Sequence, residues 1–179
     1  MFETLLLLLV PTLVFRLLGR FGVTRFAGWA VCLAHGLAVM LLFTGVAHFL
    51  PDSVEAMPSH ADLTAMVPPY LPFADFLVYL TGVLELLGAV ALVYPPTRAA
   101  AGVGLALLFV VMLPANVHAA MESVPLNGDP ATPLWFRIPE QIAFVAAAFT
   151  AVAAAPDGPV RRAVTGVVRR RQPGAAVTG

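Results

Sequence analysis

Hydrophobic residues in this chain neither alternate nor keep to one helical stripe. They fill whole segments, interrupted by proline and by short polar loops. A hydrocarbon core of about 30 Å takes about 20 residues of helix to cross. Four segments reach that length, at 27–50, 73–94, 97–119 and 135–155. Pro51 stops the first, Pro72 and Pro95-Pro96 bound the second, and the third follows after a tight hairpin. The last begins at Trp135 and ends before Pro156. A shorter segment at 4–19 contains Pro11 and predicts either a fifth span or a tilted, half-inserted helix. The pattern therefore predicts an all-α fold, a polytopic membrane helical bundle over residues 1–155 with a polar tail at 156–179.

Composition agrees with this picture and excludes a water-soluble globule. Hydrophobic residues make up 60% of the chain and charged residues 11%, where soluble domains carry about 25% charge. The single cysteine, Cys32, excludes an internal disulfide or a CxxC redox pair. The N-terminus differs from a signal peptide. Glu3 precedes the apolar run, the arginines come after it, and no small-residue cleavage site follows. It is read as a retained span.

Charge also orients the bundle, because cytoplasmic loops collect basic residues. With the N-terminus outside and the C-terminus cytoplasmic, Arg16, Arg20, Arg25, Arg98, Arg161, Arg162, Arg169, Arg170 and Arg171 all fall inside. Glu3, Asp52, Glu55, Asp62, Asp75, Glu122 and Asp129 fall outside, and Arg137 alone breaks the rule. The expected location is a multi-pass protein of the plasma or inner membrane.

Two segments outside the spans have character. In the loop 51–72, Ser59-His60-Ala61-Asp62 predicts a capped short helix to about Met66, lying as a lid or as plain loop. In the tail, Val160, Val164, Val167 and Val168 share a helical face among Arg161, Arg162, Arg169, Arg170 and Arg171. That pattern suits an interfacial helix on anionic lipid, and equally a solvated positive-inside tail. The bilayer is the expected partner; nucleic acid is not.

Ionisable residues within spans are costly in lipid and mark candidate sites. Glu85 lies mid-span with Thr81, Gly82, Gly88 and Ala89 on its face, so it should face protein, either paired with a cation or kept neutral. His48 closes its span with Thr44 and Gly45 on its face. Asn116 and His118 follow Pro114, and Arg137, Glu140 and Gln141 surround Pro139, with Arg137 able to reach Glu140 or Gln141. These seven residues predict a shared polar pocket in the outer half of the bundle, with His48 and Glu85 as a proton-handling or ligand pair. His35 points more than 90° away from His48 and is assigned to packing or a helix contact. A metal would need His48, His118 and Glu85 to converge, and no single helix carries an HxxxH-type spacing. Nucleotide loops, nucleophile elbows and zinc motifs are absent from the sequence.

Several motifs in order resemble the DoxX-like family of small membrane proteins. They are Gly45-Val46-Ala47-His48-Phe49 with Pro51, Met66-Val67-Pro68-Pro69-Tyr70-Leu71-Pro72, and Thr81-Gly82-Val83-Leu84-Glu85-Leu86-Leu87-Gly88. Pro114-Ala115-Asn116-Val117-His118 and Arg137-Ile138-Pro139-Glu140-Gln141 complete the set, the last resembling an Arg-x-Pro-x-Gln signature. The resemblance covers roughly residues 27–155 and implies a four-helix core, with 4–19 as an added N-terminal helix. It further implies association with oxidoreductase systems, as a membrane subunit or accessory.

Three functions follow as expectations. The first is that membrane subunit or accessory, binding a quinone or small electron carrier and a membrane or redox protein partner. Glu85 and His48 would then manage protons, while Arg137 and Asn116 hold a carbonyl or anion. The second is a small-solute transporter using the same pocket, although no inverted repeat is visible. Thr44-Gly45-Val46 does echo Thr81-Gly82-Val83, setting His48 in register with Glu85. The third is a non-catalytic scaffold or assembly factor whose polar residues lock the bundle.

Overall fold

The computed structural model describes residues 2–54 and 56–155; the arginine-rich tail lies outside the described residues. Among the described residues six helices follow in order: α1 (Glu3–Arg20), α2 (Trp29–Ala47), α3 (His60–Ala65), α4 (Ala74–Val93), α5 (Arg98–Met121) and α6 (Leu134–Ala153). A single 3₁₀ turn, Thr24–Phe26, separates α1 from α2. Among the described residues the chain is all-helical, with one isolated bridge between Leu126 and Asp129. Among the described residues four helices, α2, α4, α5 and α6, are long and apolar enough to cross a membrane.

The first helix is continuous in spite of Pro11. Proline removes one rung of the helix ladder, and next to it the Thr12 hydroxyl donates to the Leu8 carbonyl at 2.7 Å. Its 18 residues span about 27 Å, close to the membrane minimum, but it carries Glu3, Arg16 and Arg20. Charge, more than length, sets α1 apart from the other four.

Helices α2, α4, α5 and α6 pack pairwise in a closed ring, α2 on α4, α4 on α5, α5 on α6 and α6 back on α2, with α1 laid along α2. Small residues bring these helices together. Ala34, Ala38, Ala89, Ala106, Ala147, Ala148 and Ala151 alternate in the core with Leu37, Leu41, Leu92, Leu105, Phe109 and Phe144, and Leu8 of α1 joins them. Leu6, Leu13, Leu42, Leu87, Leu107 and Phe149 instead face outward and exposed. Bulky apolar residues outside and alanine inside is the distribution a bilayer solvates, since so large an apolar surface would associate in water.

The two ends of the bundle differ in charge. At one end lie α3, the loop 122–133 and the acids Glu3, Asp52, Asp62, Asp75, Glu122 and Asp129; at the other lie Arg16, Arg20, Arg25 and Arg98. The arginine end also solves a backbone problem. The last carbonyls of a helix have no partner within it, and the proline-rich turn after α4 offers few backbone donors. Side chains supply them: Thr97 donates to Ala91 O at 2.8 Å, Arg98 Nε to Leu92 O at 2.8 Å, and Arg25 Nη2 to Val93 O at 2.7 Å. Arg98 is thereby almost fully buried.

At the α3 end the expected capping box is present. The Ser59 hydroxyl accepts from Asp62 N at 3.2 Å, and Asp62 Oδ2 accepts from Ser59 N at 2.9 Å. Helix α3 packs on α4. Two bonds tie this segment across the bundle: His118 Nδ1 donates to Met66 O at 3.0 Å, and Asn127 N donates to Asp62 Oδ2 at 3.2 Å.

Candidate functional site

Apart from His35 and Arg98 toward the arginine end, the buried ionisable residues and their partners form two groups. The first lies where α2 crosses α4, and its geometry begins with glycine. A Cβ on Gly82 would sit 2.5 Å from His48 Cβ, and one on Gly45 would sit 3.3 Å from Glu85 Cβ. Each helix therefore presents a glycine to the other's ionisable residue. His48 and Glu85 are brought inside the interface, at 5% and 3% exposure.

Hydrogen bonds then fix both side chains. The Thr44 hydroxyl donates to Glu85 Oε2 at 2.6 Å. His48 Nδ1 donates to the Val78 carbonyl at 2.8 Å and lies 3.2 Å from the Thr81 hydroxyl oxygen. A carbonyl can only accept, so the proton of the neutral ring is on Nδ1 and Nε2 carries a lone pair. That lone pair faces Glu85 Oε1 at 3.8 Å. Two bare lone pairs would repel, so the contact is favourable only with a proton on one of them: on Glu85, making a neutral pair, or on His48, making an ion pair.

A third ionisable residue touches the main chain of His48 near the surface. His60 Nδ1 donates to the His48 carbonyl at 2.8 Å, and its Nε2 lies 3.3 Å from Oδ1 of the exposed Asp75. The His60 ring stacks on Tyr79 with centroids 4.0 Å apart. Sequence reasoning placed His60 only in the capped helix, because nothing local shows that α3 folds back over the end of α2.

The second group lies between α1, α5 and α6. Arg137 Nη1 donates to Glu140 Oε2 at 2.7 Å, one helical turn away, and Arg137 Nη2 donates to Asn116 Oδ1. The Thr4 hydroxyl donates to the other carboxylate oxygen of Glu140. Glu140 is 2% exposed and has a donor on each oxygen, so its carboxylate is buried with its partners in place, while the Arg137 side chain is half-buried. Arg137 breaks the charge asymmetry of the bundle because it is held by an internal acid. Thr4 was missed, since a lone hydroxyl near a helix start gives no signal in sequence.

The other two candidates bond to backbone. Gln141 Nε2 donates to Phe109 O at 2.5 Å, across from α6 to α5. His118 tethers the loop at Met66. The single pocket expected from the sequence thus resolves into a His48–Glu85 group and an Arg137–Glu140–Asn116 group, with Gln141 and His118 outside both. Among the described residues no three His, Cys, Asp or Glu side chains converge as a metal site needs.

Residues 37–152, most of the four-helix ring with both polar groups except Thr4, match the family model described as "Domain of unknown function (DUF8561)". No curated protein and no solved structure matches the chain.

Proposed function

We infer, for a chain that belongs to the family described as "Domain of unknown function (DUF8561)", a multi-pass membrane protein that handles protons as a subunit or accessory of an oxidoreductase system. The observation that carries this reading is the buried contact of His48 Nε2 with Glu85 Oε1 at 3.8 Å, which sets two groups able to take a proton face to face. His60 and the exposed Asp75 lie beside the pair, His60 bonded to the main chain of His48. A quinone or small electron carrier is the redox group such a pair would serve, and the DoxX-like motifs are the ground for the oxidoreductase association. The charge asymmetry supports a plasma or inner membrane location, with the α3 end outside and the arginine end cytoplasmic.

The test is Glu85→Gln, which keeps the shape and a Thr44 partner but cannot exchange the proton. In membranes from cells lacking the chain and complemented with each variant, quinone reduction by respiratory substrates should fall at least about tenfold with Glu85→Gln, at equal protein level. Unchanged rates, together with purified protein that carries no quinone, would sink the reading.

A second reading, a non-catalytic scaffold, is favoured by the closed network of Arg137, Glu140, Asn116 and Thr4, in which every charged group already has an internal partner. It expects a stable membrane partner on co-purification and a redox rate indifferent to Glu85.

A further inference from the structure

The arginines of the arginine end are not used alike. Arg25 and Arg98 are turned to the carbonyls that end α4. Arg16 and Arg20 of α1 have no hydrogen-bond acceptor and no acid beside them among the described residues. The neighbouring sequence supplies none, for no Asp or Glu stands between Glu3 and Asp52. Arg20 is exposed. Arg16 is half-buried, its Nε closed off and its guanidinium carbon 5.3 Å from the centre of the exposed Trp29 ring of α2. The indole face holds the cation in place. Its terminal nitrogens stay open, a fork of N–H donors that fits phosphate oxygens in pairs.

The surface beyond the arginines says what carries the phosphate. Leu6, Leu9, Leu13, Arg16 and Arg20 succeed one another at steps of three or four residues, so they share one face of α1. The three leucines are exposed. From Leu6 to Arg16 the helix rises about 15 Å, half of a hydrocarbon core of about 30 Å. A free phosphate or an acidic protein surface would meet the arginines and leave the leucines without a counterpart. A phospholipid meets both, its phosphate at the arginines and an acyl chain along the leucines, over the depth of one leaflet. Two uncompensated cations repel the ammonium of a zwitterionic headgroup, so the headgroup that fits has no cation of its own.

We propose that this face of α1, with Trp29, is a binding site for an anionic phospholipid whose phosphate is held by Arg16 and Arg20. The inference needs the bundle in a bilayer and none of the proton chemistry proposed above, and its arginines are not those of the tail.

The experiment uses the full chain with Trp135→Phe, which leaves Trp29 as the one tryptophan, in phosphatidylcholine nanodiscs. Brominated phosphatidylglycerol and brominated phosphatidylcholine are introduced at equal mole fraction, and quenching of Trp29 reads which lipid occupies the face. Phosphatidylglycerol should associate at least about fivefold more tightly. Arg16→Gln with Arg20→Gln should bring the ratio to about one. Arg161→Gln with Arg162→Gln removes the same charge from the tail and should leave the ratio unchanged. Inorganic phosphate and hexaglutamate, at matched ionic strength, should not relieve the quenching. Equal quenching by the two lipids, a ratio lowered as much by the tail variant, or relief by either soluble anion overturns the proposal. The lipid comparison needs no arginine variant, so it decides even if the Arg16 and Arg20 double variant fails to fold.

Discussion

Gly82→Ala adds one methyl group at the closest approach of α2 and α4. Its carbon would lie 2.5 Å from His48 Cβ and 2.9 Å from His48 Cγ. Ordinary contact between carbons is about 3.5–4.0 Å, so the deficit is about 1 Å. A rotamer change does not relieve it, because both Cβ atoms are fixed to helix backbones. Either the helices part locally or His48 is driven off the Val78 carbonyl. Overpacking of this kind costs about 1–3 kcal/mol. In a soluble helix, alanine would recover about 0.8–1.0 kcal/mol of propensity. Here most of that gain is absent, because a hydrophobic span stays helical in the bilayer even when the bundle comes apart. The steric cost therefore wins.

The control is Gly104→Ala on α5, where a Cβ would meet nothing within 4 Å. Reversible unfolding in bicelles should place Gly82→Ala about 1–3 kcal/mol below wild type and Gly104→Ala within about 0.5 kcal/mol of it. Crowding by His48, with Phe49 Cε2 beside it at 3.0 Å, is the basis of the difference. Two variants of equal stability would refute the reasoning and, with it, the packed α2–α4 crossing.

Two further outcomes test the rest of the architecture. Arg137→Met leaves the Glu140 carboxylate buried without its cation and should cost about 3–5 kcal/mol in the same unfolding assay, most of it recovered in Arg137→Met with Glu140→Leu; a loss near zero for the single variant would show that the pair is not buried. A reporter active only in the cytoplasm should work when fused after Gly179, and activity only of a periplasmic reporter there would overturn the orientation.

The spans were legible because proline and charge mark their ends. The expected 73–94 and 97–119 became Ala74–Val93 and Arg98–Met121, bounded by the Pro95-Pro96 turn. The expected 27–50 ran a turn too long. His48, Phe49 and Leu50 continue the apolar run, but the chain must already bend there, and Leu50 O accepts from His60 N at 2.9 Å. Less of the site was legible. Pairing along one helix could be read, as with Arg137 and Glu140, because spacing alone puts them together. Pairing between helices needs their adjacency, which one sequence does not carry. Thus Thr4 on Glu140, His60 on the His48 carbonyl and Gln141 on the Phe109 carbonyl emerge only from the fold.

One between-helix pairing did leave a trace. Thr44-Gly45 precedes His48 by the same interval as Thr81-Gly82 precedes Glu85. The two helices run antiparallel, so a pattern repeated on both is exchanged across the crossing. Gly45 makes room for Glu85 and Gly82 for His48; Thr44 donates to Glu85, and Thr81 lies beside His48 Nδ1. Thr44 holds Glu85 across the crossing while Thr81 only lies against His48, and each glycine lets the opposite group in. Thr44 uses up one oxygen of Glu85 and the Val78 carbonyl one nitrogen of His48, leaving Oε1 and Nε2 facing each other. The symmetry ends at that contact, for a carboxyl and an imidazole differ in how they hold a proton. A helix lock alone would be served by two groups of fixed charge, or by none. An acid and a base set face to face at 3.8 Å inside the interface are the ground for the proton-handling role proposed above.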